Sequence, residues 1–384
     1  MKHLSTILLG LAISQFCYSA EKPNIVFIFA DDMGYGDVQC LNPERGKIAT
    51  PHMDKLAKEG MIFTDAHTTS SVCTPTRYSL MTGRYNWRTT LQKHVTSGYS
   101  PPLIGDDTLT VGKVLQQSGY NTAMIGKWHI GMTLPTTDGK GPRSGGKDRK
   151  SNVDWKGEVL QGPHDRGFDY YYGTTASLDM PPYVYIENRK FLGEGTELKA
   201  FHRQGDADKD FEAIDVLDNY GTRAANYISE QSIEKPFFLY VPLTSPHTPI
   251  IPTEQWKGKS GINIYADFQM QTDAVIGQII NAVDAAGLKE NTLIIVSSDN
   301  GCSKRANFKQ LEAAGHYASA QFRGSKSDIW EGGLRVPFIV RWPATVKPDS
   351  VSNETVLVSD FLATCADIVQ FQIPETSAPD SVSF

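Results

Sequence analysis

Asp31-Asp32, Lys127-Trp128-His129, Ser245-Pro246-His247 and Asp299-Asn300 are polar clusters that each follow closely on a run of apolar residues. Three carboxylates and one amide carbonyl, with no paired His or Cys ligands beside them, suit a hard divalent cation that prefers oxygen. Calcium is the first choice and magnesium the second. Such an ion would neutralise the repulsion among Asp31, Asp32 and Asp299 and leave a face for a ligand oxygen. One Asp-Asp pair is equally well explained as turn chemistry. Four clusters at the edge of one sheet are not.

Cys73-Thr74-Pro75-Thr76-Arg77 adds a nucleophile to this set. Pro75 suits the first turn of a helix, and Arg77, four residues after Cys73, lies on the face above it. Helix amides then point at Cys73, where a bound anion gains from hydrogen bonds and from the helix dipole. The residues alone leave two readings open, an activated thiol and a buried structural cysteine.

Elements that can carry these clusters alternate along the chain. Asn24 to Ala30 is an unbroken apolar run after Pro23, the pattern of a strand buried on both faces in a parallel sheet. Thr50 to Gly60 reads as a short helix, with Thr50 as N-cap, Pro51 at the first helical position and a closing glycine. Met61 to Phe63 returns to the sheet. The rhythm repeats with helix Leu109 to Gly119 and strand Thr122 to Ile125, then helix Ala224 to Gln231 and strand Phe237 to Val241. Helix Ile264 to Leu288 follows, then strands Leu293 to Val296 and Leu334 to Val340. This predicts an α/β fold with a large, mainly parallel sheet between helices, whose ligands sit beyond the carboxyl ends of its strands. Thr133 to Gly157 reads as a long surface loop, and Pro374 to Phe384 has no closing helix or strand.

Composition narrows the function classes. With 37 basic and 43 acidic side chains the formal charge is −6, so no basic field exists for nucleic acid, and an anionic substrate must be held by a few local cations. Lys2 and His3, the apolar run Ile7 to Phe16 and small residues around Cys17, Ser19 and Ala20 read as a signal peptide over 1–19. No later segment has the pattern of a transmembrane helix. The mature part, 20–384, is then exported, periplasmic or secreted. Losing Cys17 leaves Cys40, Cys73, Cys302 and Cys365; with Cys73 set aside, at most one disulfide is possible among Cys40, Cys302 and Cys365.

The stretch from Cys73 to Arg77, followed by Thr82-Gly83-Arg84, resembles the signature of type I sulfatases, relatives of the arylsulfatases in the alkaline phosphatase superfamily. From about Lys22 onward the motif order agrees: Asp31-Asp32, Gly126 to Gly131, Ser245-Pro246-His247, Ser298 to Gly301 and Gly324-Ser325-Lys326. The resemblance implies an alkaline phosphatase-like fold and a sulfuric ester hydrolase acting on an aryl sulfate or a sulfated carbohydrate. It also implies that a formylglycine-generating machinery oxidises Cys73 to formylglycine (3-oxoalanine). One hydroxyl of the hydrated aldehyde attacks sulfur, and loss of the second hydroxyl's proton then expels sulfate. By the same resemblance Asp31, Asp32, Asp299 and Asn300 ligate calcium together with residue 73, and Arg77 and Lys127 hold the nucleophile. His129 takes the proton in the elimination step, while His247 and Lys326 bind sulfate oxygens, one of them protonating the departing alcohol.

Two positions depart from that pattern. Thr76 stands where the motif usually has Ser or Ala, and the chain ends near Asp380-Ser381, where such proteins begin a smaller C-terminal subdomain. Two alternatives differ in class: a phosphoester hydrolase of the same superfamily, and a secreted, non-catalytic binder of sulfated glycans. Thr133 to Gly157, Phe168 to Tyr172, Tyr183 and Tyr185 are candidates for substrate contact, with the tyrosines either stacking on sugar rings or packing within loops.

Overall fold

The structure, a computed structural model, describes residues 22–146 and 149–384. The expected signal peptide lies outside the described residues.

A ten-stranded sheet crosses the molecule. Its central strands, in the order Thr292–Ser298, Asn24–Asp31, Phe237–Pro246, Asn121–Lys127 and Tyr170–Thr174, are parallel to their neighbours. Beyond them the sheet becomes mixed: Phe338–Arg341 runs antiparallel to Thr292–Ser298 and leads to Met61–Phe63 and Ser350–Ser352. Ile186–Glu187 and Lys190–Phe191 close the opposite edge. This is the expected α/β architecture.

The unbroken apolar run of Asn24–Asp31 has a direct cause in the layers on either side. Ile25, Phe27 and Phe29 share one core with Tyr78, Leu80 and Met81 of helix Cys73–Thr82, Val114 of helix Val111–Gln117 and Phe361 of helix Phe361–Ile368. Val26, Ile28 and Ala30 face the other core, with Met53 of helix Pro51–Lys58, Tyr220 of helix Val216–Ser229 and Ile276 of helix Ile264–Ala285. Alternate side chains of one strand thus seal two layers. Each large apolar residue so buried stabilises by about 1.5–3 kcal/mol.

Several expectations change in detail. Thr50 is not a side-chain cap; the exposed amides at the start of helix Pro51–Lys58 are taken instead by Asp273, whose oxygens accept from His52 N at 3.1 Å and Met53 N at 2.9 Å. The helix expected from Ala224 begins eight residues earlier, at Val216. Leu334 to Val340 shrinks to the antiparallel strand Phe338–Arg341, because Glu331–Leu334 forms a helical turn. Tyr170–Thr174, which overlaps the candidate contact segment Phe168 to Tyr172, is a sheet strand. Phe168, Tyr171, Tyr172 and Tyr183 are buried, and Tyr185 stacks on Tyr172 and tilts against Phe211. These rings serve the core. The loop from Thr133 to Gly157 is tied down by isolated bridges, Thr133 to Leu160 and Thr136 to Val153. Cys40, Cys73, Cys302 and Cys365 are all free thiols.

Candidate active site

Four adjacent parallel strands deliver the polar clusters to one edge of the sheet. Asp31 and Lys127 are the last residues of their strands, while Asp299 and His247 immediately follow theirs. The loops beyond two of these strands brace each other. Asp32, at φ +67°, donates its amide to Asp299 Oδ1 at 3.1 Å, Met33 N donates to Ser298 Oγ at 3.0 Å, and Asp299 N donates to the Ala30 carbonyl at 3.2 Å. Asn300 Nδ2 then reaches Asp32 Oδ1 at 2.7 Å.

Cys73 opens a helix that is buried along its whole length, in keeping with the Cys-x-Pro-x-Arg spacing. Lys326 joins this helix to the acidic loops: its Nζ donates to Asp32 Oδ1 at 2.6 Å and lies 3.6 Å from Cys73 Sγ. Lys326 is itself pinned, since its amide bonds the Cys302 carbonyl at 2.9 Å and the next amide, Ser327 N, bonds Ser71 O at 2.9 Å. Oxygens of Asp31 and Asp32, Cys73 Sγ and a His247 nitrogen all lie within 4.8 Å of one another. His247 Nδ1 donates to the Thr248 carbonyl at 2.6 Å, which leaves Nε2 to face Asp32 at 3.8 Å.

Arg77 and Lys127 lie within the cluster but face its carboxylates. Arg77 contacts Asp299 Oδ2 through Nε at 2.9 Å and Nη2 at 2.7 Å, and lies 3.6 Å from Asp31 Oδ1. Lys127 Nζ donates to Asp31 Oδ2 at 2.6 Å. The reason is burial: Asp31 and Asp299 are wholly enclosed, and an enclosed carboxylate needs a cation beside it.

Charge in the cluster fits a hard cation. Asp31 Oδ1 and Asn300 Oδ1 are buried acceptors without a hydrogen-bond partner. Burial, and then the charge on Asp31, pushes the Asp299 carboxyl up to about 6 against the pull of Arg77 and Lys127. Burial also opposes ionisation of Asp31, yet Lys127, His247, Arg77 and Lys326 together hold it well below the usual carboxylate range. A divalent ion held here would relieve that repulsion and satisfy the orphaned oxygens. Burial pushes the Cys73 thiol up to about 12, so it stays protonated at neutral pH and is a poor nucleophile as it stands.

His129 is a neutral base by construction. Its Nε2 lies 2.8 Å from the Thr96 carbonyl, which can only accept, so Nε2 carries the proton and the partnerless Nδ1 carries the lone pair. Burial first, then Lys127 and Arg77, drives its pKa well below the ordinary histidine value.

Two supporting features carry no sequence motif. Thr96 lies in an irregular loop, remote in sequence from the His129 it bonds. Asp37 accepts from Gly34 N at 2.8 Å, Tyr265 Oη at 2.5 Å and His316 Nε2 at 2.9 Å, and so braces the turn after Asp32. Cys302 packs against this network, with Sγ 3.2 Å from Tyr265 Oη.

Known proteins share this arrangement of chain and fold. The family model described as Sulfatase matches residues 23–371. N-acetylgalactosamine-6-O-sulfatase of Bacteroides thetaiotaomicron is 32% identical, over 94% of this chain and 76% of the relative. Human arylsulfatase G is 30% identical, over 99% of this chain and 73% of its own length. Among solved structures, a Bacteroides thetaiotaomicron sulfatase described for the metabolism of multiple glycosaminoglycans superposes with a TM-score of 0.80 at 32% identity, over 95% of this chain and 81% of that one. Ps i-CgsB in complex with k-i-k-neocarrahexaose gives a TM-score of 0.72 at 25% identity, over 94% and 75% of the two chains. With a family match across most of its length and relatives at this level of identity, the chain belongs to the sulfatase family of sulfuric ester hydrolases.

Proposed function

We propose that this protein removes sulfate from a sulfated carbohydrate, using Cys73 in its oxidised form and a calcium ion, with magnesium the alternative. The observation that carries the reading is the meeting of Cys73 Sγ, Lys326 Nζ, Asp31, Asp32 and His247 at the carboxyl ends of the parallel strands. A carbohydrate substrate is supported by the similar enzyme named for N-acetylgalactosamine 6-O-sulfate and by the similar fold in complex with k-i-k-neocarrahexaose.

Asp31, Asp32, Asp299, Asn300 and residue 73 would hold the ion, which would supply positive charge toward a sulfate oxygen. Formylglycine at position 73, formed by maturation machinery, would supply a hydrated aldehyde oxygen as nucleophile in place of the protonated thiol. The rest of the chemistry falls to side chains of this chain. Arg77 and Lys127 keep Asp31 and Asp299 ionised. Lys326 stays charged: burial opposes this, but Asp32 and the other anions outweigh it and hold its pKa well above the ordinary lysine value. Lys326 and His247 therefore present an ammonium and an imidazole nitrogen to the sulfate oxygens, and one of them protonates the departing alcohol. His129 Nδ1, the free lone pair, takes the proton whose loss releases sulfate. Three carboxylates are matched here by three cations, so a bound dication leaves net positive charge for an anionic ester.

No helix among the described residues is long and apolar enough to cross a membrane. Export through cleavage of residues 1–19, leaving 20–384 as the catalytic domain, completes the proposal. Its test is turnover of 6-sulfated N-acetylgalactosamine and of an aryl sulfate by the wild type and by Cys73→Ser. Sulfate release by the wild type and its loss in the variant are expected. Undiminished turnover by the variant, or a preference for the matching phosphate esters, overturns it.

A further inference from the structure

The structure assigns Thr96 as the residue that positions His129 against the Cys73 helix, and this rests on the reading of His129 as the base. Thr96 is buried and bonds in two directions. Toward His129, its carbonyl accepts from Nε2 at 2.8 Å, and its hydroxyl donates to the His129 carbonyl at 3.0 Å. Toward the helix, its amide donates to Thr74 Oγ1 at 3.2 Å, and the two hydroxyl oxygens lie 3.2 Å apart. Thr74 is the residue after Cys73.

Counting protons fixes every direction. The single Thr96 hydroxyl proton is committed to the His129 carbonyl, so the bond between hydroxyls is donated by Thr74. Thr74 Oγ1 then accepts from Thr96 N and donates to Thr96 Oγ1, a closed pair. Each of the two threonines both gives and accepts, and no partner is left over.

The clamp has something to hold. His129 sits at φ +58°, a left-handed conformation that side chains other than glycine adopt only when neighbours enforce it. Its amide is taken by the Thr175 carbonyl at 3.0 Å and its carbonyl by the Thr96 hydroxyl, so both sides of the strained unit are tied. Thr96 thereby sets three things together: which ring nitrogen bears the proton, where the backbone of the base lies, and its register to the turn that carries residue 73.

Thr96→Val keeps the shape and the backbone carbonyl and deletes only the hydroxyl. We expect kcat to fall roughly 10- to 100-fold with KM nearly unchanged, the signature of a displaced catalytic group. Thr96→Ser restores the hydroxyl and should recover most of the rate, and the melting temperatures of both variants should remain close to that of the wild type. Wild-type kcat in Thr96→Val, or equal losses in the Val and Ser variants, overturns the inference. His129→Ala separates the two readings. If it retains turnover, the assignment of His129 fails; if it is inactive while Thr96→Val is fully active, only the role of Thr96 fails.

Discussion

Lys127 Nζ donates to Asp31 Oδ2 at 2.6 Å, and both side chains are fully shielded from solvent. Removing one member of such a pair strands the other charge in the interior. Lys127→Met should therefore lower stability by about 3–5 kcal/mol as well as abolish turnover. Urea unfolding is the check, and a loss of stability no larger than that of an ordinary surface change would show that Asp31 finds its charge balance elsewhere.

Divalent ions should stabilise the fold through the same carboxylates. At a free concentration a hundred times its dissociation constant, one bound ion adds about 2.7 kcal/mol. Stripping with a chelator should lower the melting temperature by several degrees and restoring calcium should reverse it. Asn300→Ala removes one orphaned oxygen and should blunt that response. A melting temperature indifferent to chelator and calcium counts against the oxygen-ligand site.

His129 contributes to the pH dependence of stability with a definite sign. Its pKa is driven well below the ordinary value when folded, by burial and then by Lys127 and Arg77, and returns to about 6.5 when unfolded. Between these values the unfolded chain binds a proton that the folded chain does not. The His129 contribution then falls as pH drops below about 6.5, by up to about 1.4 kcal/mol per unit. Asp299, pushed up to about 6, and Asp273, pushed up to about 7, contribute in the opposite sense. His129→Gln should remove the histidine's contribution, so that the variant loses less stability than the wild type between neutral and mildly acid pH. Unfolding curves at a neutral and a mildly acid pH decide it, and equal slopes in the two proteins would remove His129 as the cause. Asp31, whose carboxyl is held low, adds its loss only below the ordinary carboxylate range.

Gly126, just before Lys127, tolerates no side chain. It lies at φ +142°, and a Cβ there would stand 2.0 Å from the Pro242 carbonyl oxygen of the neighbouring strand. Gly126→Ala should break the pairing of these strands and yield little soluble enzyme. Normal yield with normal activity would mean the two strands can separate at that level.

Much of this was legible in the sequence because burial leaves a pattern. The run Ile25 to Ala30 is apolar at every position since alternate side chains seal opposite layers, and the polar pair after it marks the strand end. Cys73-x-Pro-x-Arg77 is a local helix signal that needs no partner to be read. What stayed hidden depends on partners remote in sequence. Asp273 caps a helix more than two hundred residues away, where Thr50 has the local chemistry but not the geometry. Phe168 to Tyr172 reads equally as a contact segment or as loop packing, and only its neighbouring strand and Tyr220 reveal the sheet strand Tyr170–Thr174. Thr96 announces nothing, because its task is set by where His129 arrives.

The central claim is that residue 73 works as an aldehyde, and the mass of the peptide containing it, from protein made in its native host, tests that most directly. The account predicts a peptide lighter than the encoded one, the thiol's sulfur and a pair of hydrogens having given way to a single oxygen, with the fraction converted tracking sulfate release across preparations. Full turnover by protein whose Cys73 remains an unmodified thiol would contradict it.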